Sequence, residues 1–221
     1  MKIFPMMTWT GKGMKKIFFI FCVICLGIQS CGERTLIRHY YILELPAASS
    51  LAADTTVLSD KTCEILDTEI PPAYAQLRIA VRQRSNEISY YQYNYWAMDP
   101  SDNLSFLLAR EVETAKLFAW SQRGFLKEMP DLQINSKVYN LEVLDVDDVY
   151  YAHLQMELAL IAYDSKKILV SHSFDKSKAL EERDLNLFAS ELSVIFEEET
   201  GTFIKKIRAY LEQNNTGAPA K

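Results

Sequence analysis

Glycine is scarce in this 221-residue chain, with seven in all. After residue 30 only Gly32, Gly124, Gly201 and Gly217 remain, and no two are neighbours. A backbone without a glycine-rich turn cannot close around a phosphate, which argues against nucleotide binding through such a loop. Cysteine is equally sparse. Cys22, Cys25 and Cys31 lie within or at the end of an apolar opening segment, and Cys63 stands alone in the body, so the body has no internal disulfide. Cys22 and Cys25 have the spacing of a redox pair, but inside an apolar presequence they read as small apolar residues. The three histidines, His39, His153 and His172, are isolated in sequence. A metal site needs further ligands at fixed geometry, so His153 and His172, on adjacent predicted strands, read as surface or edge residues.

Acidic side chains are absent from the first 30 residues, where four of the 24 basic ones lie: Lys2, Lys12, Lys15 and Lys16. The remainder therefore sets 29 acids against 20 bases, a formal net charge of −9. That balance argues against a nucleic-acid binder, which needs a basic face to displace counterions. It equally argues against holding an anionic membrane by charge alone.

What is present begins at the N-terminus. Lys15-Lys16 precedes Ile17, and a charge-free apolar run of twelve residues extends to Ile28. Such a run is short for a bilayer span and suits a signal-peptide core. Ile28-Gln29-Ser30-Cys31 follows and resembles a lipobox, with a small residue before the cut and a thiol after it to take diacylglycerol. Gln29 departs from the usual small or apolar residue. Residues 1–30 are thus expected to be a signal peptide, with Met14 the expected true start. Cys31 is the expected lipidated N-terminus, carrying diacylglycerol and an N-acyl chain (palmitate-type lipidation), and no other cofactor is expected. Several acyl chains exceed the two hydrophobic signals that stable anchoring needs. A plain secretory signal or an uncleaved anchor is the alternative. Gly32 is not the aspartate that retains lipoproteins at the inner membrane, which favours the periplasmic leaflet of the outer membrane.

With 49% apolar and 12% aromatic residues, the body is expected to fold as one domain. Residues 31–39 read as a tether, 40–213 as the domain and 214–221 as a flexible tail. Strands are predicted over 40–45, 62–70, 77–84 and 87–96, the last two a hairpin turning at Ser85-Asn86. Residues 46–60 read as a loop. A helix is predicted over 102–116, with polar capping candidates from Asp99. A short strand over 116–121 and a loop over 124–134 follow. Residues 137–147, 150–163 and 167–174 read as an antiparallel meander. In its middle strand Tyr150, Ala152, Leu154, Met156, Leu158 and Leu160 alternate with Tyr151, His153, Gln155 and Glu157. A long amphipathic helix over 185–213 closes the domain, kinked or divided at Gly201. The fold class is α/β (α+β), a mixed, mostly antiparallel sheet with two helices.

No constellation for an enzyme appears. Asp145, Asp147 and Asp148 resemble the start of a calcium loop, but no glycine stands at its sixth position and Met156 stands where the bidentate acid belongs. Ser171-His172-Ser173 lacks a nucleophile elbow. Glu197, Glu198 and Glu199 read as an exposed helix face. Tyr90, Tyr91, Tyr93, Tyr95 and Trp96 make one strand unusually aromatic. One face of it belongs to the core, or Tyr91, Tyr93, Tyr95 and Trp96 offer a partner surface with large contact area and polar tips. An exposed aromatic hairpin is also a surface for homo-oligomerisation.

Several segments run in the order of a known family. Behind the lipobox come Tyr40-Tyr41-Ile42-Leu43, then Glu69-Ile70-Pro71-Pro72-Ala73-Tyr74. Ile79 to Arg82 and Asn86-Glu87 precede Tyr93 and Trp96-Ala97. In this order the chain resembles the ABC-type transport auxiliary lipoprotein family, which includes the paraquat-inducible protein C type. Met98-Asp99-Pro100 departs from the family's glutamate–proline after tryptophan–alanine. The resemblance implies a mixed sheet with two helices, similar to the N-terminal domain of the Tol-system propeller protein. It further implies a non-enzymatic subunit beside an ABC transporter and its mammalian-cell-entry (MCE) domain protein, in systems that move phospholipid or other apolar molecules between two membranes. A generic envelope-assembly scaffold lipoprotein is the alternative reading, and a small periplasmic enzyme a third.

Overall fold

A computed structural model describes residues 36–45, 57–84, 86–124 and 129–215. Cys31, Gly32 and the predicted signal peptide lie outside the described residues. The chain divides into a unit ending at Ile37 and a compact unit from Arg38 onward. Of the first, only Leu36 and Ile37 are described, and both are exposed. The second contains all the regular structure described below.

Among the described residues, eight strands and two helices follow in the order β1 (His39–Tyr41), β2 (Ser59–Ile65), β3 (Arg78–Arg84), β4 (Glu87–Trp96), α1 (Pro100–Thr114), β5 (Phe118–Arg123), β6 (Leu132–Val146), β7 (Val149–Ala162), β8 (Ile168–Ala179) and α2 (Leu185–Asn215). All strands join one mixed sheet. The sheet is built around β6. Along its whole length β6 pairs antiparallel with β7, from Leu132↔Ala162 to Val146↔Val149. Its other edge is shared. Parallel β2 takes the N-terminal end (Cys63↔Leu132) and parallel β3 the C-terminal end (Val81↔Val143). β7 pairs antiparallel with β8, and β3 with β4, so the predicted hairpin and meander both form. The paired positions are mostly antiparallel, as expected, although β1–β4 and β2–β5 add two parallel contacts.

Local chemistry explains the element ends. The Asp99 side chain accepts the Ser101 backbone N–H at 2.8 Å, and Pro100, which has no N–H to lose, opens α1. Beyond α1, Lys116 takes φ 50°, the left-handed position that usually falls to glycine after a helix. Asp184 caps α2, its Oδ1 accepting the Leu187 N–H at 3.2 Å. The β6–β7 turn has Asp147 at φ 49° and Asp148 at φ 63°, the backbone of a tight primed hairpin turn that aspartate tolerates. Arg183 closes this turn, its Nη2 lying 3.0 Å from both Asp145 Oδ1 and Asp148 Oδ1. The aspartates thus form a solvated turn, as the failed calcium pattern implied.

Several boundaries differ from the sequence reading. The first strand is only three residues long, beginning at His39 inside the predicted tether, because Ile42 to Leu45 leave the sheet. The second strand is Ser59–Ile65, and the predicted extension survives as a single bridge, Glu69↔Lys137. β6 starts at Leu132, within the predicted 124–134 loop. Gly201 neither breaks nor divides the last helix, which continues to Asn215 and absorbs part of the predicted tail.

Both helices pack on the sheet, α2 against β7 and β8 and α1 against β5. Ala152, Leu154, Met156, Leu158 and Leu160 are all buried, as the period-two pattern predicts. Phe188, Phe196 and Phe203 of α2 are wholly buried in the same core. Each such side chain contributes roughly 1.5–3 kcal/mol on burial, so α2 is held by its apolar stripe far more than by helix propensity. Among the described residues no helix is long and apolar enough to cross a membrane.

Candidate partner-binding surface

β4 carries the aromatic residues singled out from the sequence, and the structure divides them. Trp96 is 4% exposed and its ring lies 5.9 Å from that of Phe188, so it belongs to the core and offers no surface to a partner. Its position at the last residue of β4, opposite Tyr41 of β1, turns it under α2. Tyr91 is half-buried, donating to Tyr150 Oη at 3.0 Å. Burial, and then that bond, push its phenol well above the usual range. Tyr95 is half-buried too: its ring meets Tyr40 at 5.8 Å, Arg38 lies over it at 5.7 Å, and its hydroxyl donates to Gln92 O at 2.9 Å. Tyr40 is 60% exposed. The aromatic surface that remains for a partner is therefore Tyr93 and Tyr95 of β4 with Tyr40 of the edge strand β1.

The face of the sheet opposite the helices holds an ionic network that sequence reasoning missed. Glu142, fully buried on β6, accepts from Arg82 Nε at 2.7 Å and from Tyr74 Oη at 2.7 Å, and His153 Nδ1 lies 3.2 Å from it. His153 Nε2 is 2.8 Å from Asp175 Oδ1. Both imidazole nitrogens thus face carboxylates, which suits the doubly protonated ring. Burial disfavours charge on His153, but hydrogen bonds to Glu142 and Asp175 outweigh it and its pKa rises above 6.5. Burial likewise raises Glu142, and the bonds from His153, Arg82 and Tyr74 reverse that, holding it below 4.5. The signal for this cluster was a titratable residue set between buried apolar neighbours on each of two strands, Glu142 between Leu141 and Val143 and His153 between Ala152 and Leu154. Only the register Glu142↔His153 makes it visible.

His172 is buried as well: it does lie on an edge strand, since among the described residues β8 pairs only with β7, but neither it nor His153 is a surface residue. It sits opposite Leu158 on the core face, whereas His153 occupies the other face, so the two do not approach despite adjacent strands. Lys206 of α2, a donor only, lies 2.9 Å from His172 Nδ1, and His172 Nε2 lies 2.7 Å from Glu199 Oε2. Glu199, expected on an exposed helix face, is instead drawn against β8 by His172 and by Lys176 at 3.5 Å. Cys63 is buried without a disulfide, and burial, then Glu64, pushes its thiol upward. Among the described residues no group of His, Cys, Asp and Glu could hold a metal ion.

The family model for the ABC-type transport auxiliary lipoprotein component matches residues 41–200. The chain belongs to that family. The match runs from the last residue of β1 into the middle of α2, so it includes β2 to β8, all of α1 and the first half of α2. Among the solved structures that share this fold are two with TM-scores above 0.6. One is a DUF330 protein from Xanthomonas campestris, 15% identical, covering 80% of this chain and 98% of its own, with a TM-score of 0.68. The other is an uncharacterized protein, 12% identical, covering 77% and 99%, with a TM-score of 0.61. At such identities the likeness is one of fold. No curated protein matches the auxiliary lipoprotein in sequence.

Proposed function

We propose that this chain is a non-enzymatic accessory subunit of an ABC transport system with an MCE-domain component. In this reading acyl chains on Cys31 anchor it in the periplasmic leaflet of the outer membrane. There it docks the MCE protein and helps phospholipid or another apolar solute pass between the membranes. The family match over residues 41–200, behind a lipobox, carries the reading. The ionic groups support a structural rather than chemical role: Arg82 and His153 are matched by Glu142 and Asp175, and Lys206, His172 and Glu199 are joined by hydrogen bonds that tie α2 to β8. Tyr40, Tyr93 and Tyr95 are the surface for the partner.

The test is reconstitution of the acylated full chain with the MCE component of its own operon, followed by co-purification. A stable complex, and impaired lipid exchange in a deletion strain, are expected. No complex and unimpaired exchange overturn the proposal. Capture of a different outer-membrane assembly in its place establishes the scaffold alternative.

A further inference from the structure

β8 is the edge strand that carries Asp175, and among the described residues it pairs with β7 alone. Its two faces are held differently. Towards the helices, His172 and Lys176 meet Glu199 of α2, and Lys178 meets Glu191. Ser171, Ser173, Asp175 and Ser177 lie on the other face and are all exposed. On that face Asp175 Oδ1 lies 2.8 Å from His153 Nε2 of β7, and His153 Nδ1 lies 3.2 Å from Glu142 Oε1 of β6. One imidazole therefore spans from the centre of the sheet to its edge. The two carboxylates differ in their alternatives. Glu142 is fully buried; Arg82 Nε of β3 also donates to its Oε1 at 2.7 Å, and Tyr74 Oη, from the turn before β3, donates to its Oε2 at 2.7 Å. The side chain of Asp175 is 60% exposed, with water within reach.

We propose that His153 is a proton-operated clamp on the edge strand: doubly protonated it bridges Glu142 to Asp175, and on losing one proton it keeps Glu142 and releases Asp175. A neutral imidazole has one N–H and one lone pair, so it can donate to only one of the two carboxylates. Bond length alone favours Asp175, since 2.8 Å is the shorter contact. Burial decides against it. A lone pair turned to Glu142 sets two acceptors face to face away from water, and Arg82 and Tyr74 prevent that carboxylate from turning aside. A lone pair turned to Asp175 is relieved when that side chain rotates into solvent, where an exposed ion pair is worth little. The neutral form is therefore the Nδ1–H tautomer. Burial works against charge on His153, and the bonds to Glu142 and Asp175 outweigh it, which places the step above pH 6.5. Beyond that step the outer face of β8 loses this tie, and the Asp175 carboxylate lies free at the sheet's edge.

The test is nitrogen-15 NMR of the full chain in detergent micelles, with labelled histidine, from pH 5 to 10. His153→Gln removes one set of ring signals and so assigns it. Both nitrogens of His153 should be protonated at the acid end. At the alkaline end Nδ1 should keep its proton while Nε2 becomes an acceptor. Asp175→Asn, at an exposed site, should lower the His153 midpoint by about half a pH unit or more and leave the tautomer unchanged. Exchange protection of the β8 amides, corrected for base catalysis, should fall about threefold as the ring loses its proton, and in Asp175→Asn should not follow that titration. A neutral ring with its proton on Nε2 overturns the inference, as does a ring that keeps both protons throughout. A midpoint indifferent to Asp175→Asn, or β8 protection that ignores the wild-type titration, overturns it too, since a purely structural network moves neither.

Discussion

Asn103 of α1 holds Leu43 with both ends of its amide, accepting the backbone N–H at 3.0 Å and donating to the backbone carbonyl at 3.2 Å. The side chain thus imitates the strand neighbour that Leu43 lacks once it leaves the sheet. Asn103 is 4% exposed and Leu43 2%, so water cannot replace either bond. Asn103→Ala should cost roughly 2–4 kcal/mol, since two buried backbone groups lose their partners. Asn103→Asp keeps the acceptor but sets a carboxylate against the Leu43 carbonyl, and should cost at least as much. Denaturant midpoints measure both. A loss below about 1 kcal/mol for the alanine variant would remove Asn103 from this role.

The Glu142 network makes stability depend on pH in a defined window. His153 is raised above 6.5 in the fold, so its contribution is complete below pH 6.5 and is lost as pH rises through its folded value. Glu142 is lowered below 4.5, so its contribution is complete above pH 4.5 and is lost as pH falls through its folded value. Between those limits both are present, and the cluster stabilises most. His153→Gln keeps a donor for Glu142 but cannot titrate. It should flatten the alkaline side of the stability profile and leave the acid side sloping. A profile from pH 3 to 9 whose alkaline side keeps its wild-type slope in this variant contradicts the assignment.

Trp96 and Tyr95 are adjacent in sequence and opposite in role, which separates stability from docking. Trp96→Ala opens a cavity against Phe188 and should cost about 3–5 kcal/mol. Tyr95→Ala, at a half-buried site, should change stability by about 1 kcal/mol or less. If Tyr95 anchors the MCE partner, its loss should weaken that complex by 2 kcal/mol or more, about thirtyfold. Thermal melting and titration of the complex give the two readings. Unchanged affinity in Tyr95→Ala and in Tyr93→Ala would exclude this surface.

The core was the most legible part of the sequence, because period two along β7 marks Ala152, Leu154, Met156, Leu158 and Leu160 directly. The partner of a buried charge was not. Arg82 and Glu142 meet at 2.7 Å across 60 residues of chain; the registers of β3, β6 and β7 bring Arg82 and His153 onto one carboxylate, and the turn before β3 adds Tyr74. Tyr40 to Leu45 show the opposite failure. Their composition favours a strand throughout, yet Asn103 and Ser193 offer the backbone other partners, and the pairing stops at Tyr41. Tyr91 to Trp96 fall between these cases: alternation predicts one buried face, but not that the strand's last residue turns beneath α2.

Gly201 tests why α2 remains a single helix. Composition alone predicts a weak point, because glycine in a helix interior costs about 1 kcal/mol relative to alanine. Flanking burial offsets that cost, with Phe196 on one side of Gly201 and Phe203 on the other both inserted in the core. A Cβ built at Gly201 meets no atom within 4 Å, so alanine enters without displacing anything. Gly201→Ala should therefore stabilise the protein by about 1 kcal/mol, through a smaller entropy loss on folding. If the glycine instead serves a bend that the helix needs in order to follow the sheet, the same substitution will be neutral or destabilising. Urea denaturation of the two proteins, with equal slopes in both, distinguishes these outcomes.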